Sequence, residues 1–444
     1  MHLFWKISVK TTLTLVFGMS IAREIQALPT TFHTINTHAA FSVDNRISGF
    51  VERKVLAQIR NNTDSDNHQQ KEYKLQKQGQ QRRKIHPKLA HKLQDILNKD
   101  VKELNVTGVT VAIITPQGIW EGASGIANLQ TNKPMRPRNI LGMGSTNKPY
   151  MSATVLKVAE SGKLSLDDTL EQWLPEIATN IPGSINITIR QLLNGKGGIP
   201  NFTDDEKFLV DSLGDPNRQR SPKELIAYIY DEPRFQGENC SPIWCYTNTG
   251  NILAGIIVEK ATGSRLANVM RREVFKPLRL RQTFFRPNER VLGKLARGYQ
   301  DIFTADGSLG QDGIPEDLTD IDPAIFSFTV PVHASALDTA RFFDGLFRGK
   351  LLKPESLEEM LTFVDTGLDL DFGLGITRRN TQWGKAFSYA GTSTAYRSQM
   401  YYFPELRITI VALGNHSYEI ENPEKNSYMR TSIVPNILNT FFNG

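Results

Sequence analysis

Histidine is scarce in this chain: of eight among 444 residues, only His333 and His416 lie beyond residue 91. Neither sits in an HExxH context, which speaks against a metallohydrolase. No GxSxG elbow occurs, and GTSTA at 391–395 is a poor imitation of one, so a serine–histidine triad of the usual elbow type is excluded as well. No apolar run approaches the roughly 20 residues needed to span a bilayer. Unbalanced charge is also lacking in the body of the chain. The formal charge is +6, but residues 1–27 hold Lys6, Lys10 and Arg23 against Glu24, and residues 61–84 hold six basic residues against Asp64, Asp66 and Glu72. What remains is nearly neutral, which excludes the basic face that nucleic-acid binding requires.

Cysteine is almost absent. Cys240 and Cys245, the only two, bracket the segment CSPIWC, and no further ligands nearby would complete a metal site. A disulfide between them is expected. It suits the N-terminus, where the positive Lys6 and Lys10, the uncharged stretch Thr11 to Ala22 and the small residues Ala22 and Ala27 read as a secretory signal over 1–27. An exported protein, periplasmic or secreted, permits disulfides.

What is present is a globular composition, 39% apolar and 22% charged. Residues 28–60 form an N-terminal stub whose apolar pattern at Phe50, Val51, Val55, Leu56 and Ile59 suits a docking helix. Residues 61–85 are basic and rich in Gln and Lys, with too few apolar side chains to offset the entropy of ordering, and read as a flexible linker. A single domain over 86–444 follows. It opens with a helical period at Leu89, Leu93, Ile96, Leu97 and Val101, then a hairpin, GVTVAIIT and IWEGASG about the turn at Pro116-Gln117-Gly118. Helices are expected at 145–161, 188–194, 222–231 (opened by the capping box Ser221 to Glu224, with Pro222 at its first position) and 248–261. Strands return at 386–390, 396–403 and 407–413, before a last helix near 429–441. Strands at both ends with helices between predict an α/β (α+β) architecture: one antiparallel sheet flanked by helices, plus a mostly helical subdomain.

Acyl transfer by a side-chain hydroxyl needs a nucleophile, a nearby base and donors for the oxyanion. Ser145 is the one serine with a lysine three positions on, Lys148. On a helix that spacing places the two side chains about 60° apart and about 4.5 Å along the axis, on one face. Gly142 and Gly144 imply a tight turn delivering Ser145 to a helix N-terminus, where developing negative charge is favoured, and a buried Lys148 would be a base of lowered pKa. Tyr246-Thr247-Asn248 is the sole Tyr-x-Asn. A tyrosine beside a lysine can relay protons, and an asparagine amide can hold a substrate carbonyl while bonding the lysine; taken alone, the pair reads first as a core tyrosine and a helix cap.

These residues lie in a longer pattern. LGMGSTNKPYMSATVLKVAESGKLSLDDTLEQWLPE, CYTNTGNILAGIIVEKATG, the opening hairpin, ASALDTARF and FGLGI resemble, in order and spacing, the family of serine β-lactamases (class C), penicillin-binding D-alanyl-D-alanine carboxypeptidases and related esterases, over roughly residues 90–440. The resemblance implies the β-lactamase/DD-peptidase-like fold and a serine acyl-hydrolase with Ser145, Lys148 and Tyr246 catalytic, Asn248 toward the substrate, and no metal or other cofactor. It places the third motif, Lys-Thr-Gly or His-x-Gly, at Tyr389-Ala390-Gly391, with Gly391 allowing close approach of substrate backbone and Thr392 giving the second oxyanion N–H.

Two departures stand out. Tyr389 brings no positive charge and Ala390 no hydroxyl; Arg397 and Thr394 are the compensating candidates, against the reading of Arg397 as a surface side chain. Asn194-Gly195-Lys196-Gly197-Gly198 replaces the usual His-Thr-Ser-Gly. His333, Trp244 and Trp383 read as packing residues before mouth residues. The expected substrate is a small peptide ending in D-amino acids, or a β-lactam. The alternatives are a carboxylic ester or amide lacking a free carboxylate, and a non-catalytic protein that binds peptidoglycan or a partner, with the basic linker touching the wall polymer.

Overall fold

The computed structural model describes residues 84–443 apart from 216, 237–239, 287, 292, 302–312, 322–330, 369, 394 and 418–426. The signal, the stub and nearly all of the linker lie outside these residues.

The first helix, α1 (Pro87–Glu103), starts on a proline and buries Leu93, Leu97 and Val101, the face that the apolar period marks. The hairpin follows as β1 (Gly108–Ile114) and β2 (Ile119–Asn128), with Ile114 opposite Ile119. Next come α2 (Lys148–Glu160), α3 (Ile189–Asn194), α4 (Pro222–Ala227), α5 (Thr249–Thr262) and α6 (Ala336–Phe347). The chain closes with β3 (Thr377–Thr381), β4 (Gly384–Thr392), β5 (Arg397–Phe403), β6 (Ile408–Gly414) and α7 (Val434–Asn443). Helix α4 keeps its capping box but ends four residues before the expected 231, its last turn tightened by the Ile229 N–H donating to the Ile226 carbonyl.

Among the described residues the main sheet has nine strands. Its order is 364–365, 371–372, β3, β4, β5, β6, β1, β2 and 133–134. Strand β1 is buried along its whole length, paired with β2 on one side and β6 on the other, where Ile113 faces Ile410. Both ends of the domain thus contribute to one antiparallel sheet. One face packs on α1 and α7 through a core of Leu93, Leu97, Tyr401, Phe403, Ile437 and Leu438. The other carries α6 and the helical insert, with Tyr150, Phe342 and Leu253 at its centre. Fully burying a side chain such as Leu93 or Leu253 contributes roughly 2 kcal/mol. Cys240 and Cys245 face each other in a two-residue hairpin and form the expected disulfide.

A second, three-stranded sheet joins 141–142, 332–334 and 283–285, pairing His333 with Gly142. His333 is buried there against the ring of Tyr396. This sheet fixes the backbone just ahead of Ser145.

Candidate active site

Gly144 has φ +53°, a conformation that a side chain resists, and the turn it makes is closed by the Thr146 N–H donating to the Met143 carbonyl. Ser145 therefore sits in a 3-10 turn, Gly144–Asn147, and the α-helix begins only at Lys148. The difference from the expected single helix matters, because at three residues per turn positions i and i+3 eclipse each other. Lys148 Nζ comes within 3.2 Å of Ser145 Oγ.

The turn is clamped to the sheet. Ser398 on β5 bonds the Met143 carbonyl at 2.6 Å and the Thr146 hydroxyl at 2.7 Å. A Cβ on Gly391 would lie 2.0 Å from the Met143 carbonyl oxygen and 2.3 Å from Ser398 Oγ. The room that the missing side chain of Gly391 leaves is thus taken by this chain's own nucleophile turn. Thr392 meets the same turn, since a Cβ on Gly144 would stand 2.8 Å from the Thr392 nitrogen. Its backbone borders Ser145.

Tyr246 and Asn248 arrive from the other side. Trp244 is fully buried, its indole donating to the Asn194 carbonyl at 2.7 Å, and the Cys245 N–H bonds the Gly195 carbonyl. Gly195, φ +79°, is pressed against that indole, where a Cβ would come within 2.4 Å of Nε1. The glycine loop that departs from His-Thr-Ser-Gly is thus the seat of the CSPIWC hairpin. Lys196 turns outward and bonds the Asp365 carbonyl. From this seat the Tyr246 hydroxyl donates to Ser145 Oγ at 2.7 Å. Asn248 is fully buried, positioned by its backbone N–H to Asn201 Oδ1. Its Oδ1 accepts from Lys148 Nζ at 2.7 Å, while its Nδ2 has no hydrogen-bond partner among the described residues.

Lys148 is 1% exposed. Burial alone lowers its pKa from 10.5 to about 7, because the charged form is poorly solvated and no carboxylate compensates. Its ammonium position also lies 4.6 Å over the Tyr246 ring.

Tyr389 is buried with its hydroxyl facing Tyr246, and burial holds the phenol proton on well above the ordinary range. No charge stands where the family motif has lysine. Arg397 does not replace it. It is 4% exposed, and its guanidinium donates to the carbonyls of Ser393 and Tyr396, stapling a turn. Thr394 lies outside the described residues.

The cleft in front of Ser145 is also lined by Phe372, Thr377, Arg379 and Arg430. Sequence reasoning missed Arg379, Arg430 and Ser398. The strand register places Arg379, and the start of the last helix places Arg430; neither has a local motif.

An antiparallel sheet with a helical insert, and a serine turn facing a lysine and a Tyr-x-Asn pair, define the β-lactamase and penicillin-binding-protein fold of serine hydrolases. The Beta-lactamase family model matches residues 93–433, and the chain belongs to that family. Penicillin-binding protein 4* of Bacillus subtilis (strain 168) is 22% identical over 317 residues, 68% of this chain and 66% of that protein. Esterase EstB of Burkholderia gladioli is 27% identical over 206 residues, 44% of this chain and 52% of the esterase. The chain therefore spans about half to two thirds of these relatives' length. Among solved structures, D-amino acid amidase from Ochrobactrum anthropi SV3 superposes with a TM-score of 0.67 at 22% identity, covering 80% of this chain and 99% of that one. The D-stereospecific amidohydrolase from Streptomyces sp. gives 0.64 at 22%, covering 77% and 98%. At such identity these likenesses establish the fold.

Proposed function

We propose that the protein is a serine acyl-hydrolase that works through an acyl-enzyme on Ser145 and cleaves small peptides ending in D-amino acids, in the manner of a D-alanyl-D-alanine carboxypeptidase or β-lactamase. The observation that carries this reading is the meeting of three groups at one oxygen and one amine: Tyr246 at 2.7 Å and Lys148 at 3.2 Å from Ser145 Oγ, with Asn248 on the amine.

In the proposed reaction the proton of Ser145 passes to neutral Lys148 as Oγ bonds to the substrate carbonyl carbon. The oxyanion is held by the N–H groups of Ser145 and Thr392, and Asn248 Nδ2 holds a substrate carbonyl. When the tetrahedral intermediate collapses, the carbon–nitrogen or carbon–oxygen bond breaks. The leaving group takes the hydroxyl proton of Tyr246, which Lys148 restores. Water then attacks the ester by the same proton path in reverse, freeing the acid. Export to the periplasm or beyond, and contact of the basic linker with wall polymer, belong to the same proposal and rest on residues 1–85.

One observation favours a second reading. The neutral, buried Tyr389 and the bare methyl of Ala390 suit a carboxylic ester or amide without a free carboxylate. Intact-mass spectrometry of the full chain separates the readings after exposure to a fluorophosphonate and, separately, to a penicillin. Labelling of Ser145 by both, lost in Ser145→Ala, supports the wall-peptide reading. Labelling by the fluorophosphonate alone moves the assignment to an esterase or amidase. Labelling by neither overturns the enzyme reading in favour of a binding protein.

A further inference from the structure

The nucleophile turn hangs on a flexible link. Gly144 joins the Met143 peptide to that of Ser145, and with no side chain to restrict it the peptide planes on either side can rotate at little cost. Such a rotation would turn the Ser145 N–H away from a developing oxyanion. Within the turn it is opposed by the Thr146 N–H, which donates to the Met143 carbonyl at 3.2 Å, the long end of the hydrogen-bond range.

A stronger restraint comes from the sheet. Ser398 stands opposite Gly391 in the pairing of β4 with β5, so its side chain lies on the face where that glycine has none. A Cβ at Gly391 would come 2.3 Å from Ser398 Oγ and 2.9 Å from the Thr146 nitrogen, so the bare backbone admits hydroxyl and turn together. Ser398 is 3% exposed. Its Oγ lies 2.6 Å from the Met143 carbonyl oxygen, 2.7 Å from Thr146 Oγ1 and 3.5 Å from the Gly391 carbonyl oxygen. A hydroxyl has one proton to give, and the shortest carbonyl contact takes it: Ser398 donates to Met143 and accepts from Thr146. Two buried hydroxyls in series thus tie the residue after Ser145 to the carbonyl two positions before it, each bond polarising the next.

We propose that Ser398 is a positioning residue for the nucleophile turn: by fixing the Met143 carbonyl and the Thr146 side chain it aims the Ser145 N–H at the oxyanion, acting through Ser145 and not on the substrate. The inference rests on the acyl-hydrolase reading. It leaves the base alone, since Lys148 is oriented by Asn248, so loss of the Ser398 hydroxyl slows the chemical step and spares both binding and the dependence on neutral lysine.

Two measurements on the full chain test this. The first is the saturation kinetics of fluorophosphonate labelling, in which fluoride leaves and the phosphonyl oxygen takes the oxyanion position. In Ser398→Ala the maximal rate is expected to fall about 10–10²-fold, the scale of a slightly misplaced reacting group, with the half-saturating concentration within about twofold and the rise through neutral pH retained. An unchanged maximal rate, a loss confined to the half-saturating concentration, or a displaced pH limb overturns the clamp. If Ser398→Ala does not fold, Thr146→Val, nearly the same size, is read instead; it is expected to lower the maximal rate about fivefold, the scale of one net hydrogen bond, and no change overturns the clamp.

The second is hydrogen exchange of the backbone amides followed by mass spectrometry, which needs no chemistry at Ser145. The amides of 143–147 should exchange at least about tenfold faster in the variant, while those of 109–113 in β1 keep their rate. Unchanged exchange at the turn, or equal acceleration in both segments, overturns the clamp. A wild-type chain that takes no label rejects the acyl-hydrolase reading, and exchange then decides the clamp on its own; labelling with unchanged kinetics in the variant keeps the hydrolase and rejects the clamp.

Discussion

Lys148 lies closer to Asn248 than to Ser145: its Nζ is 2.7 Å from the Asn248 Oδ1 and 3.2 Å from Ser145 Oγ. A neutral amine has two N–H donors and one lone pair. Donating to Asn248 holds the nitrogen in place and leaves the lone pair for the serine proton. Asn248 is therefore the group that orients the base, and burial is what makes the base available.

The pH profile of acylation follows from that burial. With the Lys148 pKa at about 7, kcat/KM is expected to rise through neutral pH to a plateau, because only the free amine accepts the proton. Lys148→Arg, which keeps the charge and never deprotonates, should remove this limb and lower kcat/KM by about 10²–10⁴. A limb that survives the substitution places the base elsewhere.

The same lysine is expected to weaken the fold. Its folded pKa is depressed from 10.5 to about 7, so its favourable contribution is present above the unfolded value and is lost as pH falls through the window between them. Lys148→Met should raise stability at pH 7, on the order of a few kcal/mol, with the advantage shrinking toward pH 10. Urea unfolding at several pH values measures this; a constant gap across the window rejects it.

Asp100 is a second buried charge. It is 3% exposed, accepts one hydrogen bond from Asn436 on α7, and leaves Oδ2 without a partner among the described residues. Burial raises its pKa to about 6, so its contribution is fully present below about 3.8 and is lost as pH rises through 6. Asp100→Asn keeps the bond to Asn436 without the charge. Tm at pH 7.5 should rise by about 2 °C, for a gain on the order of 1 kcal/mol, and match the wild type near pH 4. Equal gains at both pH values would show a packing effect.

Gly391→Ala should damage fold and site together. Its methyl would meet the Met143 carbonyl and Ser398 Oγ, and relieving that overlap costs about 1–3 kcal/mol. Because Met143 leads into Ser145, the fluorophosphonate labelling rate should fall along with Tm. Ala390→Ser, one residue away and lining the cleft, should leave the unfolding free energy within about 0.5 kcal/mol of the wild type.

The parts legible in the sequence are those carried by local spacing. Ser145 with Lys148 and Tyr246 with Asn248 are each short-range pairs, and the period at Leu93, Leu97 and Val101 marks a helix face that the fold buries. The alternation of β1, β5 and β6 could not be read as burial on two faces, yet their apolar runs located them to within a residue or two. The parts that were hidden depend on register between distant segments. Nothing beside Arg379 in the chain says that Ala386 will pair with it, and nothing beside Gly391 names Met143. Arg397 looks like a surface residue in sequence, because the two carbonyls that bury it come from a turn whose shape is not written in its residue types.

The antiparallel pairing of β1 has a temporal meaning. Ile114 meets Ile119 almost as soon as both are made, but Ile113 waits for Ile410. Ser145 likewise waits for the wall that Gly391 and Thr392 bring against Gly144. During vectorial synthesis the nucleophile therefore emerges long before its oxyanion pocket can exist, and the growing chain carries an exposed serine and lysine with no assembled centre. The pocket needs residues that lie far apart in the chain, Gly144 at one end and Thr392 at the other.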